Sequence, residues 1–435
     1  MPLTYLKTAP ADQPQAAAGI ADTVQIMLAR LRAGGAQVAL EYARDLDGWH
    51  GSVTLSAEQI AAASARVPQT LKDDIAWAHE NISRFAAAQR ATAQDMEIEL
   101  RPGLFAGQRQ IPVRAAGAYV PGGRYSHIAS ALMTVTTAKV AGCGHITACS
   151  PPRPGVGIAP AIVYTADLCG ADTILALGGV QGIAAMAFGL FGLPKSDILV
   201  GPGNQFVAEA KRILFGRVGI DMFAGPTDSL ILADEGADPH IVAWDLVGQA
   251  EHGYNSPVWL ATTHRPLAEK VMELVPQYID TLPELNRDNA TKAWADMAEV
   301  MVVGDREDLV AVANDYAPEH LHVQADDLDY FLEHLQCYGS LFLGEETTVA
   351  FGDKSAGPNH VLPTSGAARY TGGLSVHKYM KLVTWQRATR DGSKPVALAT
   401  ARISRLEGME GHARTADIRL EKYFPGQNFD LSAVE

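Results

Sequence analysis

The spacing of apolar positions changes near residue 114. Before it, helical spacing dominates. Val24, Met27, Leu28 and Leu31 recur at three- and four-residue intervals and predict a helix over 21–33. Two more helices are predicted over 56–66 and 68–93, with Ser56 and Thr70 near their starts. Residues 1–20 read as a polar arm. From about Arg114, short apolar runs end in Gly or Pro and lead into amphipathic segments. AAGAYVPGG is a predicted strand closed by a Pro-Gly-Gly turn, with a helix over 128–141 behind it. HITACSPP and DTILALGG are the next strands, followed by helices over 158–169 and through QGIAAMAFGLFG. DILVGPGN leads into the helix QFVAEAKRILFG. The alternation resumes after Asp221 with SLILAD, a helix to Gln249, PVWLATT, a long helix from Leu267, VMVVGD, a helix from Glu307 and SLFLGE.

Strands and helices alternating at this spacing predict parallel βαβ units covered on both faces. The expected fold class is α/β, with two doubly wound sheets. From Thr371 the chain is richer in Lys and Arg. It is expected to be mostly helical, over 375–390 and 396–409, with ARTADIRLEKYF as a last strand or helix. That tail is too small for a core of its own and is expected to pack on the main body or on another subunit.

Composition narrows the partners. A chain of 435 residues exceeds one core. A net charge of −14 argues against nucleic acid or an anionic membrane, yet leaves room for an anionic small molecule in a local cationic pocket. Four cysteines without a CxxC point to the cytoplasm. The first residues lack a basic segment followed by an apolar one, so no secretory signal is expected. Residues 173–194 are uncharged and long enough to span a bilayer, but their glycines and Gln181 point to a buried strand, a turn and a packed helix.

Glycines gather where strands end: Pro121-Gly122-Gly123, Gly178-Gly179 and Gly201-Pro202-Gly203-Asn204. None forms a GxGxxG with an acidic residue about twenty positions on. They are either tight turns or a nucleotide site of non-standard design. Gln249 and His252, three apart on a predicted helix, share a face and are either metal ligands or a helix-end pair. Glu319 and His320, expected at a helix end, suit proton transfer or a salt bridge. Asp353, Lys354 and His360 fall in the Gly/Pro/Ser-rich stretch 352–373. Asp353 is a candidate zinc ligand and His412 a further candidate.

In order along the chain, VPGG, AKVAGC, CSPP, GGVQGIAAMAFG, GPGNQFVAEAK, QAEHG, PEHL, SAGPNHVLPT and EGMEGH resemble the signature of the histidinol dehydrogenase family, over roughly residues 20–420. The resemblance implies two incomplete Rossmann-like domains, one from 21–117 with 229–370 and the other, on the NAD side, from 118–228. It implies one zinc per subunit, held by Gln249, His252, Asp353 and His412. Glu319 and His320 match the family's acid–base pair. Tyr119, Gln181 and Asn204 match NAD-contacting positions, and His360 and Glu407 match substrate-contacting ones. It also implies a homodimer in which the tail, 371–435, reaches the partner's site. The implied reaction is NAD-dependent oxidation of a primary alcohol, through a bound aldehyde, to a carboxylate.

The chain departs from the family's usual pattern around the expected substrate pocket. Thr227-Asp228 stands where Ser-Glu is usual, Lys354 where an aromatic residue is usual, and Tyr254-Asn255-Ser256-Pro257 where a Pro-Asp-Ser run is usual. A lysine there would repel cationic histidinol by about 4 kcal/mol at about 4 Å and an effective dielectric near 20. An anionic substrate would be drawn in. In this the chain resembles the branch of the family that oxidises 2,3-dihydroxypropane-1-sulfonate to sulfolactate. Histidinol, a related polyol acid, or an inactive NAD- and zinc-binding homologue are the alternatives.

Overall fold

The computed structural model describes residues 3–10, 19–122, 127–222 and 225–432, which fall into two compact units. The larger comprises residues 1–90 and 112–379, and the smaller 91–111 and 380–435.

Two sheets form the larger unit. The first contains β4 (Ala115–Tyr119), β5 (His145–Ser150), β6 (Thr173–Ala176), β7 (Ile198–Val200) and β8 (Gly219–Ile220). Their order is β6-β5-β4-β7-β8, all parallel. The second contains β1 (Thr4–Lys7), β9 (Ser229–Ala233), β10 (Val258–Thr262), β11 (Glu299–Val302), β12 (His320–Gln324) and β13 (Ser340–Leu343). Its order is β1-β11-β10-β9-β12-β13, parallel except for the edge strand β1. Leaving β1 aside, each sheet grows outward from its first strand and then switches sides. That is the doubly wound order short of its sixth strand. The two blocks expected from the sequence are therefore topological repeats.

Strand β1 corrects the reading of residues 1–20 as an arm only, since Tyr5 pairs with Met301; residues 1–2 and 11–18 of that arm lie outside the described residues. The first helix runs from Ile20 to Asp47, well past residue 33, with a single non-helical residue at Gly35. Its stripe of Val24, Leu28, Leu31, Ala39 and Ala43 packs with Ile183, Met186 and Leu199 of the five-stranded sheet's layer. Residues 20–47 thus share a core with the 115–220 strands, unlike the grouping expected from the sequence.

In the smaller unit, β2 (Met96–Arg101) and β3 (Leu104–Pro112) form a hairpin, and β14 (Met380–Ala388) joins it in the order β14-β3-β2. The helices Arg390–Leu406 and Glu410–Tyr423 pack through Ala397, Ala401, Ala416, Leu420 and Phe424. A helix was expected over 375–390. Residues 380–388 are a strand instead, because the β-favouring run LVTW outweighs the surrounding Lys and Arg. The tail gains its partner within the chain from a hairpin that the sequence reading did not anticipate.

Among the described residues, no helix is long and apolar enough to cross a membrane.

Candidate active site

At the carboxyl end of the five-stranded sheet, β4 stops at buried Tyr119, whose Oη accepts from Gly179 N at 3.1 Å. Gly178 N and Gln181 Nε2 both donate to Asp47 Oδ2, at 3.2 and 2.8 Å. Just beyond β7, Gly201 has φ 103°, and a Cβ there would meet Tyr119 O at 2.1 Å, so only glycine fits. A buried pair anchors this turn. Asp221 Oδ2 accepts from Gly201 N at 2.7 Å, and Lys211 Nζ donates to Gly201 O at 2.9 Å while pairing with Asp221. Asn204 caps the helix Gln205–Leu214, its Oδ1 accepting from Phe206 N and Val207 N.

The six-stranded sheet presents its amino end instead. Asp228 precedes β9 and Glu319 precedes β12, neighbours in the sheet. Glu319 N donates to Asp228 Oδ1 at 2.6 Å, and Ser365 N donates to Asp228 Oδ2 at 2.9 Å. Glu319 is buried, and burial, with Asp228 adding to it, raises its carboxyl pKa well above the ordinary value. Thr227 hydrogen-bonds the same carboxyl. His320 Nδ1–H donates to Asp228 O at 3.2 Å, which fixes the tautomer with the lone pair on Nε2. That Nε2 is buried, has no hydrogen-bond partner among the described residues and lies 3.7 Å from Asp353 Oδ1. Burial lowers the His320 pKa to about 4, so the ring is neutral at pH 7.

Two helix ends complete this side. Gln249 closes the helix Pro239–Ala250, and His252 lies two residues beyond its end. Asp353 lies in the helix Val349–Lys354, which packs against the first. His252 Nε2 is 3.9 Å from Asp353 Oδ2, and Lys354 Nζ is also 3.9 Å from that oxygen. Gln249 is buried, with Oε1 lacking a hydrogen-bond partner among the described residues. His360 Nδ1–H donates to Asp353 O at 2.9 Å. Burial, and then the charge of Lys354, lowers the pKa of nearby His127.

These two edges enclose a cavity of about 910 Å³. Its walls include Tyr119, Gln181, Asn204, Thr227, His252, Glu319, His320, Asp353, Lys354 and His360, all singled out from the sequence. Glu407 and His412 belong to the smaller unit, where both are exposed. His320 opens a strand, with Glu319 just before it, and neither ends a helix. The helix Arg306–Tyr316 stops at Ala317, in the left-handed region, and Pro318 prevents its resumption. Sequence reasoning passed over Asp47, which braces Gln181, and the bracing role of Asp228. Neither has a local signal, since their partners lie 134 and 91 positions away. Among the described residues, no group of three or more His, Cys, Asp and Glu is arranged to hold a metal.

Residues 11–420 match the family described as histidinol dehydrogenase. The chain belongs to the histidinol dehydrogenase family. It is an oxidoreductase. A sulfopropanediol 3-dehydrogenase from Ruegeria pomeroyi is 69% identical over 433 residues, covering 100% of both chains. A histidinol dehydrogenase from Thermus thermophilus is 36% identical over 405 residues, 92% of this chain and 94% of that one. The crystal structure of histidinol dehydrogenase from Elizabethkingia anophelis matches with a TM-score of 0.89 at 33% identity, over 94% of each chain. Within the family fold, the cavity lies at the strand switch points of both sheets, β4/β7 and β9/β12.

Proposed function

We propose that this enzyme oxidises the primary alcohol of 2,3-dihydroxypropane-1-sulfonate to the carboxylate of 3-sulfolactate, by way of a bound aldehyde, reducing two NAD. One observation carries the substrate class: Lys354, a cation on the cavity wall, 3.9 Å from Asp353, whose charge is felt by His252 and His360 on the same wall. Its field favours an anionic group and disfavours the ammonium of histidinol. The name of the 69% identical relative supports the same reading.

A zinc ion would suit Gln249 Oε1, buried and without a hydrogen-bond partner among the described residues, with His252, just past the end of that helix, and Asp353 of the helix packed on it as nitrogen and oxygen donors. His412 is proposed as the fourth ligand and Glu407 as a substrate contact. When bound, zinc polarises the substrate's oxygen and NAD accepts hydride.

His320 Nε2 is placed to take the hydroxyl proton, its other nitrogen locked on Asp228 O. Loss of that proton and of a hydride from carbon leaves the aldehyde. Glu319, its basicity raised by burial, takes a proton from the water that adds to the aldehyde. A second hydride then leaves the hydrate, and loss of a proton gives the carboxylate. Tyr119, Gln181 and Asn204 would line the NAD side. Exposed Ile403, Leu406, Met409 and Ile418 in the smaller unit support a homodimer in which this unit packs on the partner subunit.

An NADH-release screen with zinc present, comparing dihydroxypropanesulfonate with histidinol, tests the reading. Two NADH per sulfonate consumed is the expected result. Turnover of histidinol alone overturns the substrate, and no turnover of any polyol overturns the chemistry.

A further inference from the structure

The glycine clusters lack the acidic residue that dinucleotide folds carry about twenty positions downstream. The tertiary structure supplies one from far upstream. Asp47, at the last position of the 20–47 helix, reaches Gly178 N and Gln181 Nε2 across 131 and 134 positions and lines the cavity beside them. Both bonds end on Oδ2, and Oδ1 takes part in neither. Gln181 is only 1% exposed, and its Oε1 has no hydrogen-bond partner among the described residues.

This wall therefore offers acceptors. Two donors of the helix start are engaged, Gly178 N on Asp47 and Gly179 N on Tyr119 Oη. The start of the helix Gly179–Phe188 is where a nucleotide phosphate would ordinarily settle. Here the protein's own carboxylate occupies it. A carboxylate beside an amide oxygen suits a vicinal diol, whose hydroxyls donate, and the negative charge of Asp47 repels a phosphate.

We infer that Asp47, with Gln181, receives the 2′-hydroxyl of the adenosine ribose of NAD and excludes NADP. The inference rests on the NAD reading above.

Binding of NADH and NADPH to the substrate-free protein, followed by nucleotide fluorescence, tests it. Wild-type protein is expected to bind NADH at least a hundredfold tighter than NADPH. Asp47→Asn and Asp47→Ser are expected to narrow that ratio tenfold or more, mainly through tighter NADPH binding. An unchanged ratio in a variant that still binds NADH overturns the inference and leaves the NAD reading standing. Wild-type protein that binds neither nucleotide overturns both. Should the variants fail to fold, 2′-deoxy-NADH probes the same contact on wild-type protein. Binding tenfold weaker than NADH is expected, and equal binding overturns the inference.

Discussion

The two sheets of the larger unit share one strand order and serve the cavity in opposite ways. The five-stranded sheet offers its carboxyl edge, where Tyr119, Gly178 and Gly201 bring backbone and helix starts to the wall. The six-stranded sheet offers its amino edge, where Asp228 and Glu319 precede their strands and Gln249 and His252 sit at a helix end. Helix starts carry partial positive charge and helix ends partial negative charge. On the first edge the Gln205–Leu214 start is left to suit the phosphates of a nucleotide while Asp47 takes the Gly178 start, and the second edge suits a cation with acid–base groups beside it. Duplicating one topology and facing unlike edges together is how a single plan would supply both parts of the proposed reaction.

The sharpest way to break this comparison is to strip the cation from the second edge. A chelator is expected to abolish turnover, zinc to restore it, and NADH binding at the first edge to persist; turnover that survives complete metal removal would point to a metal-independent dehydrogenase. Next, His320→Asn should lower kcat by about 10²–10⁴-fold with zinc content unchanged. Glu319→Gln should slow aldehyde oxidation more than alcohol oxidation, and equal slowing of the half-reactions would remove its water-activating role. Lys354→Tyr should raise KM for the sulfonate about tenfold; this is well below the contact-limit Coulomb energy because the lysine side chain is 64% exposed and screened. Unchanged KM would leave the lysine without a part in substrate choice.

The smallest effect is on stability. Unfolded, His320 titrates near 6.5, and folded it titrates at about 4. As pH falls, the unfolded state takes the proton first. This residue's contribution is therefore complete above pH 6.5 and is lost towards pH 4, by about 3 kcal/mol at most. Glu319 acts in the opposite sense, since its raised pKa favours the folded state when protonated, and this is lost as pH rises above 4.5. Metal-free His320→Asn should lose less melting temperature than wild type between pH 6.5 and 4. Parallel melting curves for the two would contradict the buried neutral ring.

Much of this was legible because it is local. Periods of apolar residues marked the helices 128–141 and 205–214 within a residue or two, and glycine runs marked the carboxyl-edge turns. The hairpin β2–β3 was missed although Met96, Ile98 and Leu100 alternate, because these positions are exposed and give no core signal. The start of β12 was misplaced although Pro318 announced the end of the preceding helix.

Taken alone, the sequence determined the α/β alternation, the family and most of the residues that face the cavity, since each depends on neighbours a few positions away. Only the tertiary structure decided that the two sheets meet by unlike edges, that Asp228 locks His320, and that Asp47 stands behind Gln181. Those pairings join residues about a hundred positions apart, where no periodicity constrains one by the other and only the packed core brings them into hydrogen-bond range.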